Sequence, residues 1–85
     1  MAKILIIEDD PYVRKLYERI FSFQKYEVKM AADGPEGIDL AKQIKPDIIL
    51  LDIMMPKMNG LEVLEKLKND SETASITVLM LTNFG

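Results

Sequence analysis

The chain has 85 residues, of which 48% are hydrophobic and 29% charged, and its formal net charge is −3. This length suits one small domain, and the acidic balance argues against a surface that binds nucleic acid. No apolar run reaches the roughly 18 residues that a membrane span needs. The sequence contains no Cys and no His, so disulfides, thiol nucleophiles and histidine catalysis are excluded and oxygen ligands remain for hard cations. We therefore expect a cytoplasmic domain that contacts neither nucleic acid nor membrane.

The first predicted elements are a short buried strand and an amphipathic helix. The apolar run 3–7 ends in Glu8, Asp9 and Asp10, and Pro11 follows as a favoured first residue of a helix that Asp10 caps. Apolar side chains then recur at helical spacing, which predicts one stripe facing the core: Val13, Leu16, Tyr17, Ile20 and Phe21. The charged residues of this helix are expected to face away from that stripe: Arg14, Lys15, Glu18 and Arg19.

The next two predicted elements are a half-exposed strand and a second helix. Apolar and charged residues alternate over 26–30, which is typical of a strand near the edge of a sheet. A turn and helix-start signal follows at 32–35, and a Lys-Pro-Asp sequence at 45–47 ends the helix. The inward stripe of this helix is Ile38, Ala41 and Ile44.

The second half of the chain repeats the alternation of strand and helix. The apolar run 48–51 shows no polar alternation and ends in Asp52, which predicts a strand buried on both faces. Gly60 begins a third helix, whose predicted inward residues are Leu61, Leu64 and Leu67. The run 76–81 predicts a fourth strand. This β-α alternation predicts an α/β fold with a parallel sheet and helices on both of its faces.

Acidic side chains follow two of the predicted buried strands. Glu8, Asp9 and Asp10 follow the first strand, and Asp52 ends the third. If these strands are neighbours, the carboxylates meet at the crevice where open α/β sheets bind ligands, and their repulsion favours a divalent cation, Mg²⁺ rather than Ca²⁺. The same edge suits phosphoryl chemistry, with Thr82 placed to donate its hydroxyl to a phosphoryl oxygen. The plainer alternative is that these residues only cap helices and shape turns.

Three segments of the chain resemble a known family: KILIIEDDPYVR, KPDIILLDIMMPKMNGLEVL and LMLTNFG. In these segments, the chain resembles the receiver domain of bacterial two-component response regulators. The resemblance covers the whole chain. It implies a flavodoxin-like parallel sheet with strand order 2-1-3-4-5, of which this chain would supply the strands in the order 2-1-3-4.

The resemblance also implies a role for individual residues. Asp52 would be the phosphoacceptor and a metal ligand, receiving its phosphoryl group from a sensor histidine kinase or a phosphotransfer protein. Asp9 would bind Mg²⁺ directly, Glu8 would act through a coordinated water, and Met54 would contribute its backbone carbonyl. Thr82 would supply the switch hydroxyl. Such a domain accepts a phosphoryl group and is not a turnover enzyme.

The resemblance further implies that residues 1–85 are a truncated receiver domain. A complete receiver adds a fourth helix, a fifth strand that ends in a Lys, and a fifth helix, so phosphoryl transfer is expected to be impaired. The fourth strand would be an open edge, and we expect a homodimer through that edge or the adjoining exposed faces. One alternative is a self-associating half-domain, natural or engineered, that is not phosphorylated. Another is an aspartyl phosphatase, which is disfavoured because Met54 stands where its general acid would be.

Overall fold

The computed structural model describes residues 1–81, in which strands and helices alternate. The strands are β1 (Lys3–Ile7), β2 (Glu27–Ala31), β3 (Ile48–Asp52) and β4 (Thr77–Leu81), and the helices are α1 (Pro11–Phe23), α2 (Gly34–Ile44) and α3 (Gly60–Lys68). All strand pairs are parallel, and the order in the sheet is β2-β1-β3-β4. The predicted flavodoxin-like arrangement with strand order 2-1-3-4 is therefore confirmed. None of the helices in this range is long and apolar enough to cross a membrane.

Side-chain caps fix the residue at which each helix begins. In all three helices an oxygen of the residue before the helix accepts a backbone N–H of the first turn: Asp10 from Tyr12 at 2.8 Å, Asp33 from Glu36 at 2.9 Å, and Asn59 from Glu62 at 3.0 Å. Such caps satisfy N–H groups that have no partner inside the helix. The predicted capping role of Asp10 is confirmed. The loops that follow β1, β2 and β3 are thus tied directly to the helices that come after them.

The sheet carries an apolar core on each face. The core on the face covered by α2 and α3 includes Leu5, Ile7, Ala41, Ile49, Leu51, Val63 and Leu67. On the opposite face, Tyr17 and Phe21 of α1 pack against Ile4, Ile6 and Leu50. The two central strands therefore contribute alternate side chains to both cores, which is why the sequence of β3 shows no polar alternation.

Part of the predicted stripe on α1 is wrong. Tyr17 and Phe21 pack against the sheet as predicted, but Leu16 is 55% exposed and Ile20 is 43% exposed. Helical spacing identifies side chains that share one side of a helix, but it does not show how much of that side the sheet covers. Because α1 packs against β2, which is an edge strand of the sheet, only part of the apolar side of α1 faces the core.

The predicted stripe on α3 also needs a correction. Leu61 is 60% exposed, whereas Val63 and Leu67 are fully buried. At about 100° per residue, Val63 and Leu67 lie about 40° apart around the helix, while Leu61 and Leu67 lie about 120° apart. Leu61 therefore points away from the core, and Val63 takes the inward position.

Candidate functional site

Three carboxylates meet where β1 and β3 leave the sheet. The two strands are neighbours, with Ile7 opposite Leu51, so the residues that follow emerge side by side. Glu8, Asp9 and Asp52 each offer one carboxylate oxygen, and these oxygens lie within 4.8 Å of one another. Glu8 and Asp52 are only 4% and 3% exposed. The sheet topology thus brings together the three acidic residues that the family resemblance implied as cation ligands, whereas Asp10 caps α1 instead of joining the cluster.

The cluster strongly favours a bound proton or another positive charge. Burial, assisted by a hydrogen bond to Asp9 and by the adjacent Asp52, raises the pKa of Glu8 from 4.5 to about 8. The backbone N–H of Asp10 lies 3.2 Å from Oε2 of Glu8 and acts in the opposite direction, because it stabilises the charged carboxylate. Near neutral pH, Glu8 therefore retains its proton unless a cation replaces it.

The loop after β3 folds back onto Asp52. The N–H of Met54 donates to Oδ1 of Asp52 at 3.2 Å, and the N–H of Gly60 donates to the carbonyl of Ile53 at 2.8 Å. A Cβ at position 60 would collide with the backbone oxygen of Asp52 and would lie 2.7 Å from Cα of Ile53. Glycine is therefore required at position 60 for α3 to begin against the backbone of the acidic residue. The carbonyl of Met54 is placed in this loop, and its role as a ligand stays a prediction.

The loop after β1 is held by a residue that the sequence pattern placed on the solvent side of α1. Arg14 is half-buried, and its Nη1 donates to the carbonyl oxygens of Glu8 at 2.9 Å and of Asp9 at 3.0 Å. The N–H of Glu8 donates to the carbonyl of Ala31 at the end of β2, at 3.1 Å. Helical periodicity could not reveal the contact of Arg14, because its side chain reaches back past the start of its own helix.

The predicted switch hydroxyl, Thr82, lies outside the described residues, and its role stays a prediction. The strand before it is described, and Leu81 at the end of β4 lies opposite Asp52 in the β3–β4 ladder. The end of β4 is therefore level with the end of β3, at the same edge of the sheet.

An apolar groove also lies beside this edge. Its volume is about 490 Å³, and its lining residues are Ile53, Met54, Met55, Pro56 and Asn59. None of the three clustered carboxylates belongs to this lining. Since polar groups that converge on a ligand are characteristic of binding sites, the acidic cluster is the better candidate for the chemistry.

The fold and the cluster together define a class of protein. A parallel sheet of order 2-1-3-4, with a carboxylate at the end of β3 beside acidic residues after β1, is the arrangement that the sequence resemblance implied. The family model described as "Response regulator receiver domain" matches residues 4–85. This chain belongs to that family.

Two curated relatives show how the chain relates to longer proteins. The "DNA-binding dual master transcriptional regulator RpaA" of Synechocystis sp. is 46% identical over 85 residues, which are all of this chain and 35% of that protein. The "Response regulator MprA" of Mycobacterium sp. is 42% identical over 78 residues, which are 92% of this chain and 34% of that protein. The chain therefore spans about a third of the length of these relatives.

Solved receiver structures share the fold closely. The N-terminal domain of a response regulator receiver protein from Methanoculleus marisnigri superposes with a TM-score of 0.94 at 36% identity, covering 96% of this chain and 67% of that one. The chemotaxis protein CheY4 of Vibrio cholerae gives a TM-score of 0.93 at 33% identity, covering 100% of this chain and 71% of that one. The architecture is thus that of a response regulator receiver.

Proposed function

We propose that this chain accepts a phosphoryl group on Asp52 in two-component signalling. The observation that carries the proposal is the grouping of the Asp52, Glu8 and Asp9 oxygens within 4.8 Å, at the carboxyl edge of a receiver sheet. The donor is the phosphohistidine of a sensor histidine kinase or phosphotransfer protein. A carboxylate oxygen of Asp52 forms a bond to phosphorus while the bond from phosphorus to the histidine nitrogen breaks. The phosphorylated chain is the product, so the domain is not a turnover enzyme.

The oxygens of the cluster fit Mg²⁺. One or two carboxylates, together with a backbone carbonyl and waters, are the oxygen donors that usually hold Mg²⁺. The oxygens of Asp9 and Asp52 lie within 4.8 Å of each other, and the Glu8 oxygen lies within the same distance of both, so two carboxylates can share an ion that Glu8 reaches through a water. We assign Asp9, Asp52 and the carbonyl of Met54 as direct ligands and Glu8 as a ligand through water. When bound, the ion neutralises charge on the transferring phosphoryl group.

Residues of this chain prepare Asp52 for the transfer. The N–H of Met54 donates to Oδ1 of Asp52 at 3.2 Å, which restrains this oxygen and leaves Oδ2 available for the new bond to phosphorus. Burial of Asp52 excludes water from most of its surface, so the charge that develops in the transfer interacts strongly with nearby dipoles. In the same proposal, Thr82 donates its hydroxyl to a phosphoryl oxygen.

A phosphorylation assay with acetyl phosphate and Mg²⁺ tests this function, with intact-mass spectrometry as the readout. We expect one added phosphoryl group in the parent chain, none when EDTA removes the metal, and none in Asp52→Asn. Asp39→Asn is the control, because it removes an exposed carboxylate on α2 and should leave the modification unchanged. Equal modification of the parent and Asp52→Asn would refute the assignment.

We further propose that residues 1–85 are the part of a receiver that carries its first four strands. The chain covers 67% and 71% of the two solved receivers described above, which supports this assignment. In a complete receiver, according to the family resemblance, a fifth strand adds a Lys near the phosphoryl group. We therefore expect slower transfer in the 85-residue chain than in a complete receiver.

As a second candidate function, we propose that the 85-residue chain associates with a second copy of itself. The observation that favours this is apolar exposure on the side of the sheet that carries α1. Leu79 of β4 is 50% exposed and lies on the same face as Leu81, which packs into the core beneath α1. Leu16 and Ile20 of α1 are also exposed. A second copy that covers this face removes the apolar surface from water and forms a homodimer.

Analytical ultracentrifugation of the isolated chain tests the association. Leu79→Glu is expected to shift the chain from dimer toward monomer, because it places a charge in the proposed interface. Leu61→Glu is the matched control, since Leu61 is 60% exposed and belongs to α3, on the other side of the sheet. A parent chain that is monomeric at micromolar concentration would exclude the proposal.

A further inference from the structure

One guanidinium nitrogen joins α1 to the acidic loop. Nη1 of Arg14 donates to the carbonyl oxygens of two consecutive residues, Glu8 at 2.9 Å and Asp9 at 3.0 Å. The backbone N–H of Arg14 donates to the carbonyl of Asp10 at 2.9 Å, so the base of the side chain is fixed in the first turn of the helix. Hydrogen bonds from a charged donor are stronger than neutral ones. Both acceptors belong to residues whose carboxylates form the cluster.

The peptide group between Asp9 and Asp10 connects this contact to a carboxylate. The carbonyl of Asp9 and the N–H of Asp10 lie in one planar trans peptide, so they point in opposite directions. Arg14 binds the oxygen end of this peptide, and the N–H end donates to Oε2 of Glu8 at 3.2 Å. Because the peptide is planar, the hydrogen bonds that hold the carbonyl of Asp9 also set the direction of the N–H of Asp10. Arg14 thus aims an N–H at the Glu8 carboxylate without touching its side chain.

We propose that Arg14 is a positioning residue for the divalent cation of this site. By fixing two successive peptide groups of the loop, it holds the carboxylates of Glu8 and Asp9 in the grouping that they form with Asp52. The inference rests on the proposed function, because that function supplies the cation. Without Arg14 these peptides rotate more freely, the three oxygens separate, and a cation must reassemble them at a cost in affinity.

Isothermal titration with Mg²⁺ measures the effect in the 85-residue chain. Arg14→Gln is expected to weaken binding about tenfold or more, as is typical when a group that orients metal ligands is lost. Arg19→Gln is the matched control, because it removes the same charge from an exposed position of the same helix and should change the affinity less than about twofold. Arg14→Lys should rescue part of the affinity, since an ammonium group keeps the charge but lacks the planar donor fork.

Amide hydrogen exchange in the metal-free protein separates positioning from a general loss of stability. We expect the N–H of Asp10 to exchange faster in Arg14→Gln, while the N–H of Leu50 in the middle of β3 keeps most of its protection. An equal loss of protection at both amides would mean that Arg14 only stabilises the fold and would overturn the inference. So would an unchanged Mg²⁺ affinity in Arg14→Gln, or an equal loss in Arg19→Gln.

The two proposals fail in different ways. If the parent chain binds no Mg²⁺, the proposed function is wrong, and the exchange of the Asp10 amide alone decides whether Arg14 positions the loop. Unchanged exchange in Arg14→Gln then overturns the positioning role. If Arg14→Gln does not fold, Arg14→Lys replaces it in both measurements. Parent-like Mg²⁺ affinity and parent-like exchange of the Asp10 amide in that variant would then overturn the positioning role of the guanidinium.

Discussion

The stability of the metal-free domain should fall as pH rises from about 4.5 to about 8, because of Glu8. Burial raises the pKa of Glu8 from 4.5 to about 8 in the folded chain, so in this window the folded state binds more protons than the unfolded state. Stability then decreases with pH, with a slope of at most about 1.4 kcal/mol per pH unit for one proton. The pKa values of Asp33 and Asp70 are lowered in the folded chain. The stability that these two carboxylates contribute is therefore present across this window and is lost only in more acidic solution.

Urea unfolding followed by circular dichroism at pH 5, 6, 7 and 8, with EDTA present, measures this slope. Glu8→Gln should flatten it, because the amide does not titrate, and should be more stable than the parent at pH 8. Glu65→Gln, at an exposed position of α3, is the control and should keep the slope of the parent. Mg²⁺ should restore stability at pH 8, since it replaces the lost proton. A parent chain whose stability rises from pH 5 to pH 8, or a slope unchanged in Glu8→Gln, would refute this reasoning.

Two substitutions test the packing around the site and the connection to β4. Gly60→Ala should destabilise the domain by about 1–3 kcal/mol in urea unfolding, since its Cβ meets the backbone of Asp52; a more stable variant, as helix propensity alone predicts, would contradict this. Thr73→Val should cost about 1 kcal/mol, because the buried hydroxyl donates to the carbonyl of Leu67 at 2.6 Å. Thr77→Val, at an exposed strand position, is its control, and equal effects of the two substitutions would exclude the role of the buried hydrogen bond.

Elements of the fold that depend on local pattern could be predicted from the sequence. The unbroken apolar run of β3 predicted a strand buried on both faces, and the structure buries Ile49, Leu50 and Leu51. The β-α alternation predicted the parallel sheet. The strand order followed from the family resemblance, and that order makes neighbours of the strands that end beside Glu8 and Asp52.

The parts that could not be predicted depend on how elements sit against one another. Leu16 and Ile20 belong to the apolar side of α1, but the position of α1 over β2 leaves them exposed. Arg14 looked like a solvent-facing residue, yet its side chain is long enough to turn back and bind carbonyls of the preceding loop. Periodicity records the direction of Cβ, and it contains no information about where a long flexible side chain ends.

The hydrogen bond from Gly60 to Ile53 makes the loop between β3 and α3 a closed ring. The ring has a fixed number of backbone atoms, and its closure is set by the absence of a side chain at position 60. Insertions and deletions in 54–59 would have to keep the two ends of the loop at hydrogen-bond distance, whereas changes of side chain at exposed positions such as Met54 and Lys57 leave these ends in place. The exposed positions of the loop can therefore vary in chemistry while its ends stay fixed, so two such domains can differ in what they recognise at this rim while keeping the same acidic centre.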